Sequence, residues 1–172
     1  AKAVNFGLIF GMGAAGLQQY AAQSYGVDMT LEEARRFRDS FFEAYPGISW
    51  WHHDLMEKYG QSGGSALGST LTGRKFRLSS RAGVAELANT PVQGTAADII
   101  KIAMIRVAKR LKEEQLKTRL LLQVHDELLL EVPEDELEKA EKILEEEMTG
   151  AAHLAVKLEI DMHTGNNWYE AK

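Results

Sequence analysis

The sequence predicts an α+β fold in which helices come first and strands mixed with helices follow. Three observations carry that prediction. Helical signals fill roughly the first 60 residues. Two near-unbroken apolar segments, residues 120–124 and 128–132, then flank the polar tripeptide His125-Asp126-Glu127 and read as paired strands. After them, residues 134–148 place Leu137, Ile143, Leu144 and Met148 on one helix face.

Each element has its own local reason. Lys2, Phe6 and Phe10 stand at i, i+4 and i+8 on one helix face, with no Ser, Thr or Asp cap before them. The chain is therefore expected to begin inside a helix whose first turns lie elsewhere, as in a truncated or split product. A second helix follows Gly11-Met12-Gly13 and stops before Gly26. Thr30-Leu31-Glu32-Glu33 is a capping box, opening a helix that runs to about residue 44, where Tyr45-Pro46-Gly47 breaks it. Residues 48–59 form a further helix, and the Gly/Ser-rich residues 61–69 a loop. Thr70-Leu71 and Phe76-Arg77-Leu78 flank Gly73-Arg74 as a short hairpin. Residues 84–116 are helical, interrupted near Pro91 and Gly94. Pro133 ends the second apolar strand, and residues 155–162 alternate as a final strand. No internal repeat or low-complexity segment is present.

A chain of 172 residues can bury one good core, or at most two small ones. No apolar run approaches the ~20 residues that span a bilayer. The first residues lack the charged and cleavable features of a signal peptide. With no cysteine, disulfides and thiolate metal ligands are excluded, which fits a reducing cytoplasm. The net charge of −5 hides an asymmetry: residues 1–120 hold 16 basic against 11 acidic side chains, residues 121–172 hold 4 against 14. A basic front and an acidic back fit a protein that meets phosphate on one side, and undirected variation of charge is the alternative.

The chemistry concentrates at His125-Asp126-Glu127. A tight connection between two apolar strands must expose polar groups, so a solvated turn is one reading. The other is a metal site, because hard cations such as Mg²⁺ prefer carboxylate oxygen and share it with substrate phosphates. Two-metal phosphoryl transfer uses ions about 3.5–4 Å apart, so one carboxylate would need a further acidic ligand.

Gln123-Val124-His125-Asp126-Glu127-Leu128 resembles motif C of family A (DNA polymerase I-like) DNA polymerases. Lys2-Ala3-Val4-Asn5-Phe6-Gly7-Leu8-Ile9-Phe10-Gly11 is similar to the end of their motif B, the fingers helix that closes over the incoming nucleotide. Asn89-Thr90-Pro91-Val92-Gln93-Gly94-Thr95-Ala96-Ala97-Asp98 resembles the start of their palm helix. Thr70-Leu71-Thr72-Gly73-Arg74 looks like the short palm hairpin, and Asn167-Trp168 the C-terminal ending. These matches fall in the family's order over nearly the whole chain.

The resemblance implies part of the polymerase right hand: a fingers portion at residues 1–63 and a palm portion at 64–172, with a small antiparallel sheet flanked by helices. It implies that Asp126 is a catalytic, Mg²⁺-binding carboxylate, one of those holding two ions, with Glu127 as its supporting neighbour. Lys2 would bind the dNTP triphosphate and neutralise charge as pyrophosphate leaves. Phe6 would pack beside the nucleotide sugar, and its lack of a ring hydroxyl implies selection against dideoxynucleotides. Phe10 replaces the family's commoner Tyr near the template base, keeping the ring but not the phenol. Gly7 and Gly11 would let DNA or bases approach the backbone. Arg74 would contact the primer–template backbone, Arg81 phosphate more weakly, and His125 the primer terminus. Asn89 and Gln93 would present amides to the minor groove, where acceptors are alike on every base pair. Without the family, these residues read as solvated, capping or core side chains.

Three departures accompany the match. Motif A, with the second catalytic Asp, is not in the chain, nor is the Arg expected just before Lys2. Val84-Ala85-Glu86-Leu87-Ala88 has no Arg where the family carries a Glu-Arg pair. The chain is thus expected to serve DNA replication or repair with an upstream polymerase fragment, acting on primer–template DNA and dNTP, and not to polymerise alone. A cytoplasmic location in a bacterial or phage-infected cell is expected, with an organelle as the alternative. Two other classes stay open: a non-catalytic DNA-binding remnant, and a metal-dependent phosphohydrolase built on His125, Asp126 and His153 or His163.

Overall fold

The computed structural model describes residues 2–60, 66–79 and 82–171, with the backbone alone described at residues 2–4, 60 and 66. The chain divides into two compact units, Ala1–Gln93 and Gly94–Lys172.

In the first unit, α1 (Lys2–Ile9), α2 (Ala14–Tyr25), α3 (Leu31–Ala44) and α4 (Pro46–Leu55) follow one another closely. The predicted stops are seen: Gly26 closes α2 at φ 62°, a left-handed conformation that costs glycine nothing. Thr30 and Glu33 form the reciprocal capping box of α3, the Thr30 hydroxyl accepting from Glu33 N at 3.2 Å and Glu33 accepting from Thr30 N at 2.8 Å. α4 begins at Pro46, earlier than the sequence implied, because proline suits the first helical turn, where its missing N–H would be unpaired anyway. It continues into a π-helical turn, Met56–Gly60.

The first hairpin corrects the sequence reading. β1 (Ala66–Ser69) lies inside the stretch expected to be a loop and pairs antiparallel with β2 (Lys75–Leu78). Thr70 and Leu71 are connection, not strand. Backbone pairing, Ser69 to Lys75 and Ala66 to Leu78, sets the strand here, and Gly68 is required because a Cβ would lie 2.4 Å from the Phe76 ring. Two small cores fill this unit. Leu8, Leu17 and Ala34 join α1, α2 and α3; Leu55, Ala82, Leu87 and Ala88 form the other, with Phe10, Trp51 and Leu78 packed on it.

α5 (Val84–Glu113) runs unbroken past Pro91 and Gly94, where an interruption was expected. Proline inside a helix costs roughly 3 kcal/mol. Against it stand Leu87 and Ala88 before it and Ile100, Ala103 and Val107 after it, all buried. Each large one contributes roughly 1.5–3 kcal/mol. Burial outweighs the local penalty.

In the second unit, β3 (Arg119–Val124) and β4 (Glu127–Glu131) form the predicted hairpin, with a bulge between Leu120 and Leu122. A 3₁₀ turn, Glu134–Glu136, leads into α6 (Leu137–Thr149). Val107, Leu111 and Ile143 make the core, covered by Leu116, Leu130, Leu144 and Met148. Arg110 ties α5 to α6 by ion pairs to Glu146 and Glu147 while also holding Glu114. Residues 155–162 are not a strand: they pair with no other strand among the described residues, and Val156 is 72% exposed. Alternation alone cannot make a strand without a partner ladder. The described sheets are accordingly two separate two-stranded hairpins.

Candidate functional site

The β3–β4 tip is built for exposure. His125 and Asp126 are its two turn residues, between the last strand pair, Val124 and Glu127. His125 has φ 53° and Asp126 does not share that positive value, the pattern of a turn with a left-handed first central residue. Gln123 Nε2 donates to the His125 carbonyl at 2.5 Å and braces the turn. His125, Asp126 and Glu127 are all exposed, while Leu128–Leu130 turn partly inward. Two adjacent carboxylates and an imidazole are thus brought to one braced tip.

Phe6 on α1 and Phe10 in the turn just after it stack with ring centroids 6.5 Å apart and planes 19° from parallel. Phe6 is 53% exposed, whereas Phe10 is half-buried against the core of Leu55, Ala82, Leu87 and Ala88. Phe10 is therefore partly a core residue. Lys2 lies in the first turn of α1, and its side chain is outside the described set. The space beside Gly7 and Gly11 is taken by protein: a Cβ would meet Met12 at 2.8 Å and Val84 at 2.8 Å. Gly11 also needs its φ of 81°, so both glycines serve the chain reversal after α1. Close packing within the unit accounts for both glycines.

Thr70 organises the β1–β2 turn. It is 4% exposed; its hydroxyl accepts from Arg74 N at 3.1 Å and meets the Thr72 hydroxyl at 2.9 Å. Its N–H donates to the Arg74 carbonyl at 2.9 Å. Gly73 supplies φ 89°. Arg74 is held exposed beside the turn. Arg81 lies outside the described residues. Asn89 and Gln93 are exposed four apart on one face of α5, well inside the helix and not at its start, since the helix opens at Val84.

The carboxylates of Asp126 and Glu127 are hard oxygen donors of the kind Mg²⁺ prefers, and such sites take only one or two protein carboxylates. Among the described residues no group of three or more His, Asp or Glu side chains comes together as metal ligands. A phosphohydrolase centre on His125, Asp126 and His153 or His163 is therefore not assembled among them.

Two supporting residues escaped the sequence reading. His52 Nε2 lies 2.7 Å from the Ile9 carbonyl, linking α4 to the end of α1 across 43 positions. A carbonyl only accepts, so Nε2 carries the proton. Glu136, 9% exposed, accepts from Lys117 N at 2.9 Å and from the Thr118 N–H and hydroxyl at 2.8 and 2.7 Å, fixing the start of β3. A pair of adjacent histidines and a carboxylate just after Pro133 were the available signals; neither reveals its partner.

Comparison with known proteins adds an independent line. The family model described as DNA polymerase family A matches residues 1–170. DNA polymerase I of Bacillus subtilis is 42% identical and that of Bacillus caldotenax 41% identical, each over all of this chain. The chain spans about one fifth of those relatives, 20% of their length. Among solved structures, the POL domain of Pol1 from M. smegmatis, in complex with DNA primer-template and dNTP, matches with a TM-score of 0.83 and 35% identity. That match covers 99% of this chain and 30% of the other.

Proposed function

The chain belongs to DNA polymerase family A, and from that membership we propose that it is the C-terminal segment of a DNA-directed DNA polymerase acting in DNA replication or repair. Residues 1–63 would be the end of the fingers and residues 64–172 part of the palm. The observation that carries the reading is the exposed Asp126-Glu127 pair where a braced two-residue turn enters β4.

In the complete enzyme the primer 3′-oxygen attacks the α-phosphorus of dNTP. The bond to the bridging oxygen breaks, and pyrophosphate leaves. Mg²⁺, when bound, supplies Lewis-acid activation of the reacting oxygens. Asp126 would hold it, with Glu127 adding negative field beside it. Lys2 would take triphosphate charge, and Phe6 would border the sugar with its exposed ring. Phe10, anchored in the core, would offer only its free edge near the template base. Arg74 would hold a backbone phosphate, His125 the primer terminus, and Asn89 with Gln93 the minor groove. Such contacts position the duplex without reading its sequence.

Asp126 and Glu127 do not make a two-ion site by themselves, and we assign the missing carboxylate to an upstream polymerase segment, in the same polypeptide or a partner. The alternative reading is a DNA-binding remnant without catalysis. One experiment separates them. With the upstream segment supplied, Asp126→Ala abolishes primer extension and leaves primer–template affinity within about twofold, as expected for a contact made only to the reacting groups. Extension that survives Asp126→Ala refutes the assignment, and no extension by the assembled wild type favours the remnant. Robust Mg²⁺-dependent extension by the 172-residue chain alone would show that no upstream segment is needed.

A further inference from the structure

The geometry points to His52 as a positioning residue that fixes the C-terminal end of α1 and thereby sets dNTP affinity, an inference that rests on reading α1 as the nucleotide-binding helix. A helix leaves its last four carbonyls without partners in the helix itself. In α1 the turn that follows serves three of them: Phe6 O accepts from Phe10 N at 3.1 Å, Gly7 O from Met12 N at 2.8 Å, and Leu8 O from Gly11 N at 3.0 Å. The fourth, Ile9 O, accepts a hydrogen bond from His52 Nε2 at 2.7 Å.

His52 is well placed to act as a fixed donor. It is half-buried on α4, which anchors itself through buried Leu55. The Phe42 ring packs edge-on against the imidazole at 5.6 Å, and Trp51 lies at 5.7 Å on the other contact. Phe10, from the end of α1, packs on the same core as Leu55. The end of α1 is thus tied to α4 by a directional bond and by sharing an apolar core with Leu55. Apolar packing, including that of Leu8 with Leu17 and Ala34, tolerates small rotations about the helix axis. The bond, by contrast, sets the direction of the Ile9 carbonyl, and Phe6 lies on the face that such a rotation would move.

Loss of the bond lets α1 populate orientations in which that face is not aligned for dNTP. Apparent affinity falls by the fraction of molecules still aligned, while chemistry in the bound complex is unchanged. The effect therefore appears in KM and not in kcat.

The test is steady-state primer extension by the assembled polymerase containing this chain, with dNTP varied at saturating primer–template. His52→Met keeps apolar bulk but removes the donor; it raises KM for dNTP about three- to tenfold, the range set by one hydrogen bond, with kcat within about twofold. His52→Gln, whose amide nitrogen reaches the position of Nε2, restores KM toward wild type. A dNTP KM unchanged in His52→Met overturns the inference. So does a His52→Gln variant as impaired as His52→Met, or a fall in primer–template affinity equal to the rise in KM, which marks general loosening. Phe6→Ala, measured alongside, keeps the two readings apart. If it raises KM and His52→Met does not, only the role of His52 fails. If neither moves KM, the assignment of α1 falls and the inference with it.

Discussion

The Gln123 side-chain amide donates to the backbone carbonyl of His125, so the β3–β4 tip is closed by a bond from the strand that enters it. The turn holds His125 at φ 53°, a region that residues other than glycine seldom occupy. Asp126 follows at once, and its direction depends on that turn. Gln123→Leu removes the donor, and Gln123→Glu replaces it with a group that cannot donate. Both should slow primer extension by the assembled polymerase about tenfold or more, since small misplacement of a catalytic group is costly. Primer–template affinity should stay near wild type. Equal rates for wild type and both variants would show that the brace does not set the position of Asp126.

Arg74 and the amide pair of α5 should separate by their response to salt. A cation on a phosphate releases counterions, so Arg74→Ala should flatten the slope of log affinity against log salt by about one unit. Asn89→Ala and Gln93→Ala remove no charge. If their amides face the minor groove as proposed, both changes should weaken primer–template binding with the slope intact and ease extension past mismatched pairs. Titrations at several salt concentrations measure both. A slope change in the amide variants would contradict their placement in the groove.

What could be read from sequence depended on how far apart the partners lie. Thr30 and Glu33 are three residues apart, and Gly26 acts on the turn just before it, so both helix boundaries were legible. The β3–β4 tip was legible too, because apolar strands and polar turn are contiguous. β1 was missed: its composition is that of a loop, and only pairing with β2 makes it a strand. Residues 155–162 failed in the opposite sense, having alternation without a partner. At Pro91 local propensity pointed to a break, and burial along α5 overrode it. Within the site, Asp126 and the α1 face had meaning in the sequence through family resemblance. His52 had none, since its partner Ile9 lies 43 positions away.

Glu136 ties stability to pH. The Lys117 backbone N–H, aided by the Thr118 hydroxyl and N–H, holds its carboxyl below the ordinary value of 4.5, against the opposing effect of burial. The native state therefore binds fewer protons here than the unfolded state does. Its contribution is complete above pH 4.5 and is lost as pH falls through the depressed native value. Thermal unfolding of wild type and Glu136→Gln between pH 7 and 3 should show a gap that is widest near neutrality and narrows below that point. A gap that stays constant across the range would mean that the carboxylate charge is not what holds the start of β3.

Phe6 offers the most direct test of the nucleotide-binding role proposed for α1. Its ring is half exposed and held by the stack on Phe10, while Phe10 is fixed in the core, so the Phe6 ring has a defined position. Phe6→Tyr adds a hydroxyl at the ring tip without changing that support. If the ring borders the sugar, the new hydroxyl can stand in for the 3′-OH that a dideoxynucleotide lacks. Discrimination between dNTP and ddNTP should then fall by about tenfold, the worth of one hydrogen bond, with dNTP incorporation nearly unchanged. Competition between the two nucleotides in primer extension measures the ratio. An unchanged ratio would place Phe6 away from the sugar and leave its exposed ring as a packing surface for a neighbouring segment.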